Sequence, residues 1–135
     1  MTNDDLFLDT SGLLCLFDKA DSRHESAAKF FRQAKSLFTS NYVLAEFIPL
    51  VMSRKLHRTS ALFFLKNFVL LPRLELVWVD EKTHQMAMSL IEDRLDKNYS
   101  LCDAVSFVIM RKREISEALT TDKHFEQEGF IRLLK

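Results

Sequence analysis

The chain of 135 residues carries 19 Lys and Arg residues and 19 Asp and Glu residues, so its formal net charge is zero. A neutral chain lacks the bulk attraction for nucleic acids that a strongly basic protein has. The length predicts one domain over residues 1–135, with a core large enough to need no disulfide. The two cysteines, Cys15 and Cys102, lie among apolar residues, which is typical of buried thiols in a reducing compartment.

The amino-terminal segment and the apolar runs predict a cytoplasmic protein that does not enter a membrane. The first residues, MTNDDLFLDTSG, carry acids rather than Lys or Arg, which argues against a secretory signal. The uncharged stretches fall short of the ~20 residues that a membrane-spanning helix needs. The only two glycines, Gly12 and Gly129, leave no glycine-rich loop to bind a nucleotide phosphate.

Short apolar runs alternate along the chain with longer segments of helical periodicity. In chain order, the predicted strands are residues 6–8, 37–40, 74–79, 117–121 and 130–134. Helices are predicted from Ser22 or His24 to about Lys35, over 42–56, 60–71 and 81–97, and from Ser100 onward. Strands separated by helices favour right-handed crossovers and a parallel sheet covered on both faces.

Three of the predicted helices carry more detailed expectations. Asn41 can cap the helix at 42–56, and Pro49 within it removes a backbone donor and is expected to kink it. The apolar segment 61–71 is compatible with an interface, but we expect an ordinary buried helix. In the segment 81–97, the residues expected to form the core stripe are Met86, Leu90, Ile91 and Leu95.

Two acids follow predicted strands, and a third lies within an apolar helix. Asp9 and Asp122 each come directly after a strand, so both should lie at the carboxyl edge of the parallel sheet. Glu46 is the only charged residue in the segment 41–52, and its apolar neighbours suggest that it cannot easily face water. An ionised and unpaired acid is very unfavourable in the protein interior. These three acids therefore need partners.

The fourth acid, Asp103, lies in the apolar sequence YSLCDAVSFVIM at 99–110. Ser100 and Asp103 have the spacing of a capping box, which explains why the first turn of a helix tolerates an acid. The other acids also have ordinary explanations. Asp9 and Asp122 suit helix caps or turns, and Glu46 suits an ion pair with a basic residue.

A common explanation for all four acids is a divalent cation. Four carboxylates that converge in one cleft would repel one another, and a cation would remove that repulsion. Oxygen ligands suit Mg²⁺ or Mn²⁺ rather than zinc, and magnesium keeps several waters, so some of the four acids would act through water. Such a metal activates water and offsets charge on a phosphodiester. The pattern therefore indicates metal-dependent hydrolysis of a nucleic acid.

Four motifs resemble those of PIN-domain nucleases of the VapC-like toxin group. They are LDTS at 8–11, NYVLAEF at 41–47, YSLCDAVSFVIM at 99–110 and ALTTDKHFEQEGF at 118–130, in the order of that family. The resemblance implies a three-layer α/β/α sandwich with a central parallel sheet. It also implies an endoribonuclease that hydrolyses RNA with Mg²⁺ or Mn²⁺ and metal-activated water.

The resemblance also assigns roles to individual residues. The family's catalytic and metal-binding acids fall on Asp9, Glu46, Asp103 and Asp122. Ser11 and Thr120 match small polar positions that support the site. His124 and Phe125 belong to the last motif, and we assign both to packing and loop shape.

Partners are expected on the same basis. Members of this group pair with a small antitoxin protein that occupies the cleft, and they form homodimers. The positive residues 54–58 and 111–113 suit either solvated helix ends or contacts with the phosphate backbone.

Three other functions compete with this interpretation. A phosphatase of the haloacid-dehalogenase type would use Asp9 as its nucleophile, but it usually needs a second Asp where this chain has Ser11. A phosphorylated receiver domain needs paired acids at the end of its first strand, whereas Asp4 and Asp5 precede the apolar run. A non-catalytic domain that binds RNA or protein fits the neutral charge, but four intact acids argue against it.

Overall fold

The computed structural model describes residues 4–135. Within these residues the strands are β1 (Asp5–Leu8), β2 (Ser36–Ser40), β3 (Leu74–Val77), β4 (Glu117–Leu119) and β5 (Ile131–Arg132). The helices are α1 (Thr10–Phe17), α2 (His24–Gln33), α3 (Asn41–Ser53), α4 (Arg58–Phe68), α5 (Glu81–Glu92), α6 (Leu101–Lys112) and α7 (Lys123–Gln127). None of the helices in this part of the chain has the length and apolarity that a membrane crossing requires.

The five strands form one sheet in the order β3-β2-β1-β4-β5, and every neighbouring pair is parallel. Successive connections move outward from β1 to β3 and then return to β4 and β5. Because such crossovers are right-handed, α1 to α4 cover one face of the sheet and α5 to α7 cover the other. The predicted three-layer α/β/α architecture is confirmed. The direction of winding reverses between β1 and β4, which opens a crevice at their carboxyl ends.

The core lies on both faces of the central strand β1. Phe7 and Leu8 of β1 are inaccessible to solvent, and so are Leu119 of β4, Phe47 of α3 and Phe107 of α6. A strand that is covered on both faces is apolar throughout, which explains the short run Leu6–Leu8. Both cysteines are buried and unpaired, as predicted.

Gly12 allows α1 to lie unusually close to β4. A Cβ at this position would lie 1.9 Å from the carbonyl oxygen of Leu119, far inside van der Waals contact. The same carbonyl accepts a hydrogen bond from the backbone N–H of Asp9, at 3.2 Å. This contact fixes the start of α1 against the end of β4, and therefore fixes the position of Asp9.

The helix that carries Glu46 differs from its predicted form at its amino end. Ser40, not Asn41, is the N-cap of α3, because its hydroxyl accepts a hydrogen bond from the N–H of Val43. The Asn41 side chain instead accepts a hydrogen bond from the N–H of Val79, which ties α3 to the segment after β3. The helix continues without interruption through Pro49.

Two apolar predictions were wrong in part. α5 ends at Glu92, so Leu95 lies beyond it and is 82% exposed, and Met86 is also exposed. The buried positions of α5 are Thr83 and Ala87, whose small side chains allow close packing on α6. Leu90 and Ile91 are half-buried against the core, as part of the predicted stripe.

α4 is not the ordinary buried helix that its composition suggests. Ala61 and Phe68 are buried, but Phe63 is 70% exposed, and Leu62 and Leu70 are exposed as well. One side of α4 packs on α3, through the rings of Phe64 and Phe47 for example, while its other side presents apolar side chains to solvent.

Gly12→Ala should destabilise the protein by about 2 kcal/mol or more, because the added methyl group meets a backbone carbonyl that cannot turn away. Urea unfolding of both proteins measures this difference. Gly129→Ala is the comparison, since a methyl group there meets nothing within 4 Å and only the positive φ of 92° opposes it. We expect that second loss to be about 1 kcal/mol. Equal losses for the two variants would contradict the close contact.

Candidate active site

All four predicted acids line one cleft of about 660 Å³ at the carboxyl ends of β1 and β4. Asp9 follows β1, and Asp122 follows β4 after two threonines. Glu46 comes from α3 on one face of the sheet, and Asp103 comes from α6 on the other. Asn98, Ser100 and His124 also line the cleft. The parallel sheet therefore brings together side chains that are more than a hundred positions apart in the sequence.

Asp9 occupies the most desolvated position of the four. The residue is 5% exposed, and its carboxylate makes no capping hydrogen bond although it lies at the N-cap of α1. The pKa of Asp9 is raised to about 7, mainly by burial; a hydrogen bond from Thr120 opposes this rise, and the negative charges of Asp103 and Asp122 add to it. A helix cap does not require a buried carboxylate, so the structure does not favour helix capping as the explanation for an acid at position 9.

Two hydroxyl groups hold the Asp9 carboxylate. Its Oδ2 accepts hydrogen bonds from Oγ1 of Thr120 at 2.8 Å and from Oγ of Ser11 at 3.2 Å. Each hydroxyl also accepts a backbone N–H, Thr120 from Asp122 and Ser11 from Thr121. Because these acceptor bonds orient both hydroxyl protons toward Asp9, the loop after β4 and the first turn of α1 form one unit.

Asp103 completes the predicted capping box and also contacts a histidine. Its N–H donates to Oγ of Ser100, and its Oδ2 accepts from the N–H of Ser100, both at 3.0 Å. The same oxygen lies 2.9 Å from Nδ1 of His124. Since an ionised carboxylate only accepts, Nδ1 carries the proton in this hydrogen bond. Burial raises the pKa of Asp103 despite these donors.

Asp122 serves as the N-cap of α7 and also faces the other acids. Its Oδ1 accepts from the N–H of His124 at 2.9 Å and lies 3.4 Å from the imidazole Nδ1. Ligand atoms of Asp103, Asp122 and His124 all lie within 4.8 Å of one another. The capping explanation for Asp122 is therefore correct, but it does not exclude a second role in the cleft.

Glu46 is exposed, so the expectation that it avoids water was wrong. Its apolar sequence neighbours Val43 and Phe47 lie on the buried face of α3, whereas Glu46 points into the cleft. Its Oε1 accepts a hydrogen bond from Oγ1 of Thr10 at 3.1 Å. Among the ion pairs of residues 4–135, none involves Glu46, so the alternative of a basic partner is not supported.

His124 has a place in the cleft that the sequence interpretation missed. We assigned it to packing, and its ring does pack edge-on against Tyr99 at 5.2 Å. Its Nδ1, however, contacts two of the four acids. The signal that indicates this contact is the spacing D-x-H directly after a strand end. Phe125, assigned to packing with it, is inaccessible to solvent as expected.

An ion-pair network around the buried carboxylate of Glu128 supports the wall of the cleft that carries His124. The Glu128 carboxylate accepts hydrogen bonds from Arg94 at 2.8 Å and Arg111 at 2.6 Å. Burial opposes ionisation of Glu128, but the two guanidinium groups outweigh it and hold its pKa below the usual range. The network joins the ends of α5, α6 and α7 around the ring of Tyr99. It therefore stabilises the position of the imidazole.

The donor set of the cleft suits a divalent cation. Carboxylate oxygens predominate, and one imidazole accompanies them, which fits Mg²⁺ or Mn²⁺ better than zinc. The raised pKa values of Asp9 and Asp103 show that two of these acids resist ionisation in the protein alone. A bound cation would favour their charged forms.

The protein belongs to the PIN-domain family, as its motifs predicted, because the family model for the PIN domain matches residues 6–130. Among characterised proteins, it is similar to the 23S rRNA-specific endonuclease VapC20 of Mycobacterium tuberculosis. The two sequences are 30% identical over 129 residues, which is 95% of this chain and 97% of the relative.

Solved structures agree with this assignment. The crystal structure of M. tuberculosis VapC20, described as a Sarcin-Ricin loop cleaving toxin, superposes with a TM-score of 0.86 at 29% identity, covering 96% of this chain and 99% of that one. A chain of VapBC2 from Rickettsia felis, solved with a DNA fragment from its promoter, gives a TM-score of 0.65 at 15% identity, covering 95% and 96%. The second likeness shows the fold alone.

Asp9→Asn should stabilise the metal-free protein at neutral and alkaline pH. The folded-state pKa of about 7 exceeds the unfolded value of 3.8, so ionisation of Asp9 opposes folding. As pH rises from about 4 to 7, the free energy of unfolding of the wild type should fall relative to that of the variant, by up to about 4 kcal/mol. Above pH 7 the difference should stay constant. Urea unfolding in EDTA across this range measures the difference, and a difference that is independent of pH would contradict the burial argument.

Mg²⁺ or Mn²⁺ should raise the melting temperature by several degrees. A cation that binds only the folded state adds about 2.7 kcal/mol at 100 times its Kd. The shift should disappear in the Asp103→Asn/Asp122→Asn double variant and persist in the Glu81→Gln/Glu92→Gln control, whose acids lie exposed on α5. Differential scanning calorimetry with added metal provides the measurement. A shift that survives in the first double variant would place the cation elsewhere.

Proposed function

We propose that this protein is a divalent-metal-dependent endoribonuclease with one PIN domain. The observation that carries the proposal is the convergence of Asp9, Glu46, Asp103 and Asp122 in one open cleft at the topological switch point. Their roles as catalytic and metal-binding residues are part of the proposal. The similarity to an endonuclease named for an rRNA substrate supports RNA as the substrate class.

The residues of the cleft would have two kinds of role, binding of the metal ion and positioning of its ligands. Asp9, Asp103 and Asp122 would hold Mg²⁺ or Mn²⁺, with Glu46 acting partly through water. When bound, such an ion lowers the pKa of water and neutralises charge on a phosphodiester. Ser11 and Thr120 keep the Asp9 carboxylate in one orientation, and His124 does the same for Asp103.

Glu46 is the acid best placed to receive a proton from the attacking water. It is exposed, and only its Oε1 has a hydrogen-bond partner within the described chain, the Thr10 hydroxyl. Asp9 and Asp103 are buried, and Asp122 is only partly exposed. A general base must be reached by its proton donor, and Glu46 is the acid of the four with the greatest access to water.

We further propose a toxin role, an antitoxin partner, a homodimer and a cytoplasmic location. The VapC-like motifs and the relative described as a toxin support the first two. The exposed apolar side chains of α4, Phe63 above all, support contact with another protein. The homodimer and the location rest on the family resemblance.

Purified protein should cleave RNA only in the presence of Mg²⁺ or Mn²⁺. EDTA should abolish cleavage, and Asp9→Asn or Asp103→Asn should lower the rate by more than about 100-fold, since even groups that only orient a ligand are worth 10-fold to 100-fold. Mapping of new RNA ends in total cellular RNA, wild type against Asp9→Asn, measures both activity and target. Binding of RNA without cleavage in any metal would indicate the non-catalytic alternative.

Thr120→Val should lower the cleavage rate by about 10-fold to 100-fold, because it removes one donor to Asp9 without changing side-chain volume much. Thr59→Val is the matched control, since Thr59 lies exposed on α4 away from the cleft. Initial rates at saturating metal compare the two variants. An unchanged rate in Thr120→Val would show that the Thr120 hydroxyl does not position Asp9 for catalysis.

A further inference from the structure

We propose that the turn between α3 and α4 binds the RNA backbone beside the cleavage site, through Arg54, Lys55 and Arg58. We call these three residues the basic turn. The inference rests on the proposed function and names the surface that holds its substrate. The lining of the cleft contains four acids and neither Lys nor Arg. A polyanionic substrate therefore needs cations outside the cleft.

The charges of the chain are distributed unevenly, although their sum is zero. The segment 47–74 contains five of the 19 Lys and Arg residues and none of the 19 Asp and Glu residues. Three of the five cations are the basic turn, and all three are exposed. His57, which lies among them, accepts the N–H of Ser60 on its Nδ1 and caps α4, so we do not count it as a cation.

These cations are not neutralised by nearby acids. Within residues 4–135, the ion pairs of arginine use Arg23, Arg94, Arg111, Arg113 and Arg132, each with a carboxylate at 3.1 Å or less. Neither Arg54 nor Arg58 belongs to that set, and Lys55 has no carboxylate partner in the described chain either. The basic turn is thus available to an external anion.

The cleft-facing side of α3 leads directly to the basic turn. Glu46 and Leu50 line the cleft, and Arg54 follows them at intervals of four residues. Residues at such intervals share one side of a helix, so Arg54 lies about 12 Å beyond Glu46 along α3. A strand that crosses the acids would pass this side of α3 within a few nucleotides.

The backbone of the turn is held in one conformation. The N–H of Leu56 donates to the carbonyl of Val51 at 3.1 Å, and Lys55 adopts a positive φ of 57° that closes the end of α3. Cations on an ordered turn lose less freedom on binding than cations on a mobile loop. An apolar anchor of the kind that protein partners prefer lies instead on α4, at Phe63. The charge of the turn therefore favours a nucleic acid.

The test measures RNA affinity in the Asp103→Asn background, which prevents cleavage, at fixed Mg²⁺ and varied salt. Replacing Arg54, Lys55 and Arg58 by Glu should weaken binding at least about tenfold, and the slope of log affinity against log salt should fall by about 2, since each phosphate contact contributes about 0.7. The control replaces Lys19, Lys29 and Lys82 by Glu, which gives the same net charge from exposed positions elsewhere. The control should keep the wild-type slope.

Two further variants separate charge from folding. The double variant Arg54→Lys/Arg58→Lys should keep the slope of log affinity against log salt (the salt slope). Replacing Arg54, Lys55 and Arg58 by Gln (the triple Gln variant) should lower that slope without the repulsion that Glu adds. In active protein, the triple Gln variant should cleave within about twofold of the wild-type rate at saturating RNA, because the metal site is intact. Circular dichroism and the metal-induced melting shift verify that it is folded.

Three results would overturn the inference. The first is an equal loss of salt slope in the Lys control. The second is a slower cleavage step at saturating RNA, with unchanged RNA affinity, in the triple Gln variant. The third is normal RNA binding by the variants of the basic turn together with lost binding to an acidic protein partner. Failure of the proposed function looks different, because the wild type itself would then cleave no RNA in any metal, whether or not it binds RNA.

Discussion

The close contact between the end of β4 and the start of α1 governs the geometry of the site. Because β1 and β4 are parallel neighbours, both chains leave the sheet at the same edge, and the missing side chain of Gly12 lets them leave it in contact. Asp9 and Asp122 emerge there, together with the hydroxyls that link the two segments. Any movement of α1 away from β4 would separate these acids.

The same contact makes the site electrostatically unfavourable in the absence of a cation. Asp9 has little access to water, and its neighbours Asp103 and Asp122 are also acids, so its pKa rises to about 7. Thr120, Ser11 and His124 offset part of this effect through oriented donors, but they do not supply a full positive charge. We expect a site with this residual repulsion to bind a metal ion and to gain stability when the ion binds.

The sequence predicted the sheet and the convergence of the acids because both follow from simple periodic features. Strand ends are visible as changes from apolar to polar residues, and parallel strands place those ends together, which located Asp9 and Asp122. The error at Glu46 arose because neighbours along a helix lie on different faces, so an apolar stretch does not bury each of its residues. The same rule explains why Met86 lies outside the core although it is apolar, whereas Leu95 is exposed because α5 ends before it.

His124 was harder to assign, because a histidine beside a phenylalanine in a turn fits packing as well as chemistry. Only the fold shows that Asp122 caps α7 and that the imidazole of His124 points back toward Asp103. The capping bond and the contact between His124 and Asp103 therefore depend on each other. Local sequence patterns predict the capping bond, whereas the contact between His124 and Asp103 requires α6 to pack beside α7.

The neutral net charge of this protein conceals two regions of opposite sign. The cleft holds four acids, whereas residues 47–74, which follow Glu46 along the chain, contain cations and no acid. A cation in the cleft attracts a phosphate only at short range, since charge interactions decay within about 8 Å at physiological salt. A strand that reaches the acids must therefore be held by other charges along its length. Of these exposed and unpaired cations, Arg54 is the C-cap of the helix that carries Glu46, Lys55 lies in the turn that follows, and Arg58 begins α4. The proposed contact with the RNA backbone therefore continues directly from the helix that carries the proposed general base.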